Sequence, residues 1–207
     1  MRAFITGTDT GVGKTFVTAL LARALRRAGL DTVALKPLCS GDRSDVDILR
    51  SACGEELERD EINPLWFQTP VAPLLAARLE RRSVSVPALA AWFTAVSHGR
   101  QSVLVEGAGG WLVPVAEKFL VADLAAALGL PVLVVVANRL GCINHTLLTI
   151  ESIRSRGLEC RGLILNSLPS DADDSLSGNR ALLEEFTNVP ILFEITPDQE
   201  EIELALV

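Results

Sequence analysis

The chain predicts an α/β fold, a doubly wound and mostly parallel sheet with helices on both faces, and three features carry that expectation. Short apolar runs alternate with stretches of helical periodicity along the whole length, the order that gives parallel strands joined by right-handed crossovers. Residues 132–137, Val-Leu-Val-Val-Val-Ala, are apolar throughout, as a central strand covered on both faces must be. Residues 7–15, Gly-Thr-Asp-Thr-Gly-Val-Gly-Lys-Thr, follow the apolar run Ala3-Phe4-Ile5 and precede a helix whose Val17, Leu20, Leu21, Ala24 and Leu25 share one face. Strand, glycine-rich loop and helix in that order make a P-loop, so the expected architecture is of the P-loop NTPase type.

The loop is a variant, because the strict pattern GxxxxGK[ST] wants glycine where Thr8 stands, and Gly7 comes one residue early. Gly-Lys-Thr alone would be compatible with a plain strand-to-helix turn. With a strand before it, a helix after it and three glycines inside, the stretch is read as a phosphate cradle. Unpaired N–H groups of the helix's first turn and the positive end of its dipole favour an anion there. Gly11 and Gly13 let the backbone close around it. Lys14 is expected along the terminal phosphates, and the Thr15 hydroxyl in one Mg²⁺ position.

At 207 residues the chain fits one domain, residues 1–207, with a sizeable core. Its net charge of −7 argues against sequence-independent nucleic-acid binding, which leaves a basic footprint, but not against a nucleotide ligand. The longest apolar stretch, 128–137, contains Pro131 and is too short to span a bilayer. The first strand runs straight into the loop with nothing resembling a signal peptide, so a soluble, cytoplasmic protein is expected. Cys39, Cys53, Cys142 and Cys160 lack metal spacing and any CxxC, and are read as reduced thiols. Two histidines, His98 and His145, make a histidine-based metal site improbable.

Along the chain, Thr32-Val33-Ala34-Leu35 reads as the second strand and ends in Lys36-Pro37, where proline holds Lys36 extended at the strand's carboxyl end. Open α/β sheets place ligands at that end, so Lys36, followed by Ser40-Gly41, is a candidate catalytic group. Asp42, Asp45 and Asp47 precede a short helix; they serve as cap and dipole partners, or one enters the Mg²⁺ shell. Residues 55–63 read as a polar excursion over the surface. Helices are expected over 73–82 and from Ser85 onward, with Pro87 in the first turn. Trp66 and Trp92 read as core or subunit-contact residues.

Val103-Leu104-Val105 ends in Glu106, and Gly107-Ala108-Gly109-Gly110 follows. An acid at a buried strand end is how P-loop proteins hold Mg²⁺, and the glycines let N–H donors approach a transferring phosphoryl group. A helix over 120–128 is followed by the apolar strand already described, a 138–144 connection and a further helix, in whose first turn His145 reads as structural. Gly162-Leu163-Ile164-Leu165 stops at Asn166, whose carboxamide suits the edge of adenine or simply ends the strand. Residues 171–179 are polar and turn-rich, and a helix to Phe186 follows. After a last strand, Pro190-Ile191-Leu192-Phe193, Thr196-Pro197-Asp198 is expected to cap a short acidic helix.

The loop, Lys36-Pro37 with Ser40-Gly41, Val105-Glu106-Gly107-Ala108-Gly109-Gly110-Trp111, and Leu140-Gly141-Cys142-Ile143-Asn144-His145 together resemble ATP-dependent dethiobiotin synthetase, from the first strand to the last. The resemblance implies a homodimeric, MgATP-dependent ligase of biotin biosynthesis. It would join 7,8-diaminononanoate and CO₂ into the cyclic urea of dethiobiotin through a carbamate and a carbamic-phosphoric anhydride. By position it implies that Thr15, Asp47 and Glu106 hold Mg²⁺, that Lys14 and Lys36 neutralise the carbamate and the phosphoryl charge, and that Ser40 contacts the substrate. Gly11, Val12, Gly13, Lys14, Thr15 and Phe16, Glu106 with Gly107, Ala108 and Gly109, Asn166 with Ser167, and Thr196, Pro197 and Asp198 would surround the nucleotide. Leu140, Gly141 and Asn144 would receive the substrate carboxylate across the dimer interface. Three departures stand out. Gly11 replaces an acidic residue of some relatives, and Arg139 stands where a lysine also occurs. The chain also has no tyrosine, which some members use near 179–183. The alternative, a partitioning-type switch ATPase of the same fold, carries a lysine where this chain has Asp9. A glutamine-dependent relative would need a glutaminase domain for which the chain has no room.

Overall fold

The computed structural model describes residues 1–168 and 175–204. Its centre is a parallel six-stranded sheet in the order β10-β9-β8-β1-β5-β2. These strands are β1 (Arg2–Gly7), β2 (Thr32–Leu35), β5 (Ser102–Glu106), β8 (Val132–Ala137), β9 (Cys160–Asn166) and β10 (Ile191–Ile195). β5 and β8 are buried at every residue, which accounts for the unbroken apolar sequence of β8 and for the apolar run 103–105 inside β5. Alternation sends Phe4, Val103, Val105, Val134 and Val136 into one core and Ala3, Ile5, Leu104, Leu133 and Val135 into the other. The second core is covered by α1 (Lys14–Arg27) and α2 (Ser44–Ala52). The first is covered by α4 (Pro73–Leu79), α5 (Val86–Val96), α6 (Val121–Leu128), α7 (Cys142–Ser155) and α8 (Leu176–Phe186).

β1 is the switch point, with β5 on one side and β8 on the other, and the crevice at its carboxyl end is where such sheets bind ligands. Phe4 lies beneath that crevice, fully buried, its ring edge-on to Trp111 at 6.4 Å between centroids. A Cβ on Gly107 would sit 3.1 Å from the same ring, so the turn after β5 rests directly on the core. Phe4→Ala is therefore expected to cost about 3–5 kcal/mol, the range for deleting a buried aromatic, measured as a lower midpoint in urea.

Three expectations needed correction. Residues 55–63 are no mere surface excursion: they form α3 (Arg59–Ile62) and lead into β4 (Leu65–Phe67), which pairs in parallel with β3 (Leu38–Ser40). Ile62 is buried against Cys39 and Val46, and that apolar anchor draws the polar stretch inward. After β10 the described residues contain no helix. Arg27 donates to the Ile202 carbonyl at 3.2 Å and Ile202 is buried against α1, so tail burial prevails over the acidic stretch's helix propensity. The third correction concerns Asp47 and is made with the site below. Trp66 and Trp92 are half-buried, and both indole N–H groups donate to backbone carbonyls. The polar expectation over 171–179 lies partly outside the described residues. β6 (Pro114–Ala116) and β7 (Phe119–Leu120) form a small antiparallel ribbon. No described helix is long and apolar enough to cross a membrane.

Candidate active site

The P-loop joins β1 to α1, and Gly13 is the N-cap of α1 with φ 85°, left-handed backbone that a side chain disfavours. A Cβ there would lie 2.2 Å from the Asn166 Nδ2 atom. That amide donates to the Val12 carbonyl at 2.9 Å, tying the loop to the end of β9, while Asn166 Oδ1 is buried with no partner. Gly13→Ala is expected to cost at least about 1–3 kcal/mol of stability through backbone strain and to weaken nucleotide binding more than tenfold; thermal unfolding and calorimetric titration with MgADP check both.

Lys14 is buried, its ammonium donating to the Asp9 carbonyl at 3.3 Å, and burial pushes its pKa down. Thr15 donates from Oγ1 to Glu106 Oε1 at 2.8 Å, joining the first turn of α1 to the end of β5. Lys36 is 5% exposed, and its ammonium donates to the same Oε1 at 2.6 Å and to Asp45 Oδ2. Burial alone would lower the Lys36 pKa, but Glu106 and then Asp45 outweigh it and hold the lysine above its ordinary range. The Asp45 carboxyl shows the converse: burial raises its pKa, and Lys36, Thr15 and Lys14 together hold it below the usual carboxylate range. Glu106 is fully buried, and its second oxygen, Oε2, has no partner.

Asp45, not Asp47, thus meets Lys36. Asp47 is two residues further along α2 and turned away, half-exposed and held by Arg59 through two bonds of 2.6 and 2.8 Å. Two residues along a helix is about 200° of rotation, so the two acids cannot share a face.

Thr10, Lys36, Ser40, Asp45, Ala108 and Gly109 line one cleft of about 380 Å³, with the Ser40 hydroxyl buried and unpartnered at its wall. Its walls come from the P-loop, the end of β2, β3, α2, the segment 70–73 leading into α4 and the turn after β5. Pro197 and Asp198 lie elsewhere, in a groove shared with Phe16, Arg23 and Arg27 on the flank of α1. Ser167 is joined to the end of β10 through its N–H, which donates to the Ile195 carbonyl at 2.8 Å. Leu140, Gly141 and Asn144 are exposed at the start of α7, Leu140 by 81%, and none of them lines the Lys36 cleft of the same chain. His145 is also exposed, beside a second cavity of about 320 Å³ bordered by Asp9, Trp111 and Leu148.

Thr15, Asp45 and Glu106 offer hard oxygen donors around an orphaned carboxylate oxygen, a set that suits Mg²⁺ when phosphate oxygens and water complete the shell. Among the described residues no group of three or more His, Cys, Asp or Glu could hold a metal without such help.

A parallel switch-point sheet, a P-loop at its centre and acids at the ends of neighbouring elements define a P-loop nucleotide-binding protein. The solved structures agree on the fold. The septum site-determining protein MinD of Pyrococcus horikoshii, complexed with Mg-ADP, superposes with a TM-score of 0.60 at 18% identity over 96% of this chain and 82% of that one. A family model described as an AAA domain matches residues 1–203. The ATP-dependent dethiobiotin synthetase of Akkermansia muciniphila is 42% identical over 205 residues, 99% of this chain and 96% of that protein. That of Anaeromyxobacter sp. strain K is 48% identical over 191 residues, 89% of this chain and 85% of that protein. The chain belongs to the ATP-dependent dethiobiotin synthetase family.

Proposed function

We propose that the protein is itself a dethiobiotin synthetase, a cyclo-ligase using MgATP, CO₂ and 7,8-diaminononanoate, working as a cytoplasmic homodimer. The observation that carries the reading is the buried Lys36 ammonium, held between Asp45 and Glu106 in a cleft that also opens onto the P-loop. That arrangement serves transfer of a phosphoryl group to a small anionic acceptor, and a nucleotide-binding module has no use for it. The acceptor would be a carbamate, formed when one amine of the substrate adds to CO₂ and loses a proton. Its oxygen takes the γ-phosphoryl group as ADP leaves, and the second amine then attacks the carbonyl carbon and expels phosphate.

Thr15, Asp45 and Glu106 would hold Mg²⁺, which when bound would neutralise charge on the nucleotide's phosphates. Lys14 and the P-loop amides bind the triphosphate, Lys36 offsets the charge of the carbamate and the moving phosphoryl group, and the unpartnered Ser40 hydroxyl orients the substrate. Asn166 offers its free side-chain carbonyl oxygen to the base, with Pro197 and Asp198 bordering the groove beside Phe16 and Thr196 preceding them. Exposed Leu112 and Leu148 border the second cavity and, with the exposed Leu140, would be covered by a second copy. The Leu140, Gly141 and Asn144 turn would then supply N–H groups to the substrate carboxylate of the neighbouring site. A switch ATPase would need a lysine where Asp9 stands, which disfavours that alternative.

ADP release by the purified protein with MgATP and bicarbonate, with and without 7,8-diaminononanoate, tests the reading. Diamine-dependent release with matching dethiobiotin supports it; slow hydrolysis indifferent to the diamine sinks it.

A further inference from the structure

The segment from α3 to β4 contributes no side chain to the Lys36 cleft, yet it grips both of the elements that carry the cleft's opposed charges. The β2–β5 register ends at Leu35 opposite Val105, so Lys36 lies beyond the sheet's last pairing. Its backbone is bonded on both sides by one dipeptide instead. The Lys36 N–H donates to the Ile62 carbonyl at 2.9 Å, and its carbonyl accepts from Asn63 Nδ2 at 2.8 Å. The same amide donates to the Leu65 carbonyl at 3.2 Å. Asn63's own carbonyl accepts from Arg43 Nη2 at 3.2 Å, and Arg43 is the N-cap of α2, two residues before Asp45. Arg43 is fixed in turn by the Arg59 carbonyl, by Asp60 and by the Trp66 ring, 5.4 Å from its guanidinium.

Asn63 therefore holds Lys36 with its side chain and the helix of Asp45 with its backbone. It is 1% exposed, and its Oδ1 is buried without a partner. An orphaned acceptor of that kind is destabilising, so stability alone would favour an apolar side chain here. What an apolar residue lacks is two N–H donors on one planar group, aimed at two carbonyls.

We propose that Asn63 is a positioning residue for phosphoryl transfer, setting Lys36 against Asp45 and Glu106, with Arg43 as its link to α2. The proposal rests on the synthetase reading above. Charge that stabilises a transition state works only where it is preorganised, and displacement by about 1 Å can cost about a hundredfold.

Asn63→Leu keeps the side chain's approximate size and removes both donors. The expected result is a kcat for diamine-dependent ADP release about 10–100-fold lower, with MgADP affinity by calorimetry within about twofold, since β1 and α1 build the phosphate site. Combined with Lys36→Gln, the double variant is expected within about threefold of Lys36→Gln alone, because Asn63 acts through Lys36. Acetylation by acetic anhydride, followed by mass spectrometry, is expected to label Lys36 faster in Asn63→Leu than in wild type, relative to the exposed Lys118. A folded Asn63→Leu enzyme with unchanged kcat and unchanged Lys36 labelling overturns the proposal, as does a double variant whose losses multiply. Should Asn63→Leu not fold, Arg43→Ala is read by the same assays, with kcat expected to fall about tenfold and unchanged kcat overturning the proposal. Wild-type protein with no diamine-dependent ADP release sinks the synthetase reading instead, and the labelling comparison still decides whether Asn63 holds Lys36.

Discussion

Replacing Lys36 by glutamine is expected to lower diamine-dependent turnover by about 10²–10³-fold, the usual scale for losing one preorganised group aimed at developing charge. Nucleotide binding should survive within about threefold, because the P-loop amides, Lys14 and Thr15 are untouched. The substitution has a second consequence. Glu106 is fully buried and would lose its ammonium partner, and breaking a buried pair from one side typically costs about 3–5 kcal/mol. Glutamine keeps a donor for Glu106 Oε1, so the stability loss should fall below that range while the catalytic loss stays complete. Turnover within a factor of about three of wild type would remove Lys36 from the mechanism.

The second large effect separates two aspartates. Asp45→Asn is expected to cost about a hundredfold in turnover and to weaken Mn²⁺ binding, followed by electron paramagnetic resonance in the presence of ADP. Asp47→Asn should leave both within about twofold, since its pairing with Arg59 is a solvent-exposed ion pair worth about 0–1 kcal/mol. Equal losses in the two variants, or a larger loss at Asp47, would contradict the placement of α2.

The confusion between these residues shows where sequence reading stops. The buried positions of α2, Val46, Leu49 and Ala52, fix its apolar face. Asp45 and Asp47 flank Val46 about 100° to either side, so the helix phase is nearly symmetric about them. Only the packing of α2 against α1 and β2 decides which acid reaches Lys36. The P-loop, Lys36 and Glu106 were legible because each is marked locally, by glycine spacing, by a following proline, or by an apolar run that stops at a charge. Asn63 carried one such mark, the proline after it, but its partners lie 27 and 20 residues away in sequence and nothing local points to them. The β3–β4 ribbon is invisible in the sequence for a different reason: three-residue strands have too few positions to show a period. The C-terminal stretch looked helical by composition, and the burial of Ile202 against α1 is a tertiary fact that composition does not contain.

The bond from Thr15 to Glu106 closes a loop of 91 residues, and the one from Asn166 to Val12 a loop of 154. A ribosome that has released the P-loop helix has not yet synthesised the acid that meets it, and the amide that pins the loop comes later still. Contacts this distant in sequence are among the last to form, because chain entropy must be lost before they return anything. The tie that pins the P-loop is thus made only when β9 docks beside β8. Full-length chains refolding in the presence of MgADP should gain protection at the P-loop and at Asn166 together, and a chain ending before β9 should leave the P-loop less protected.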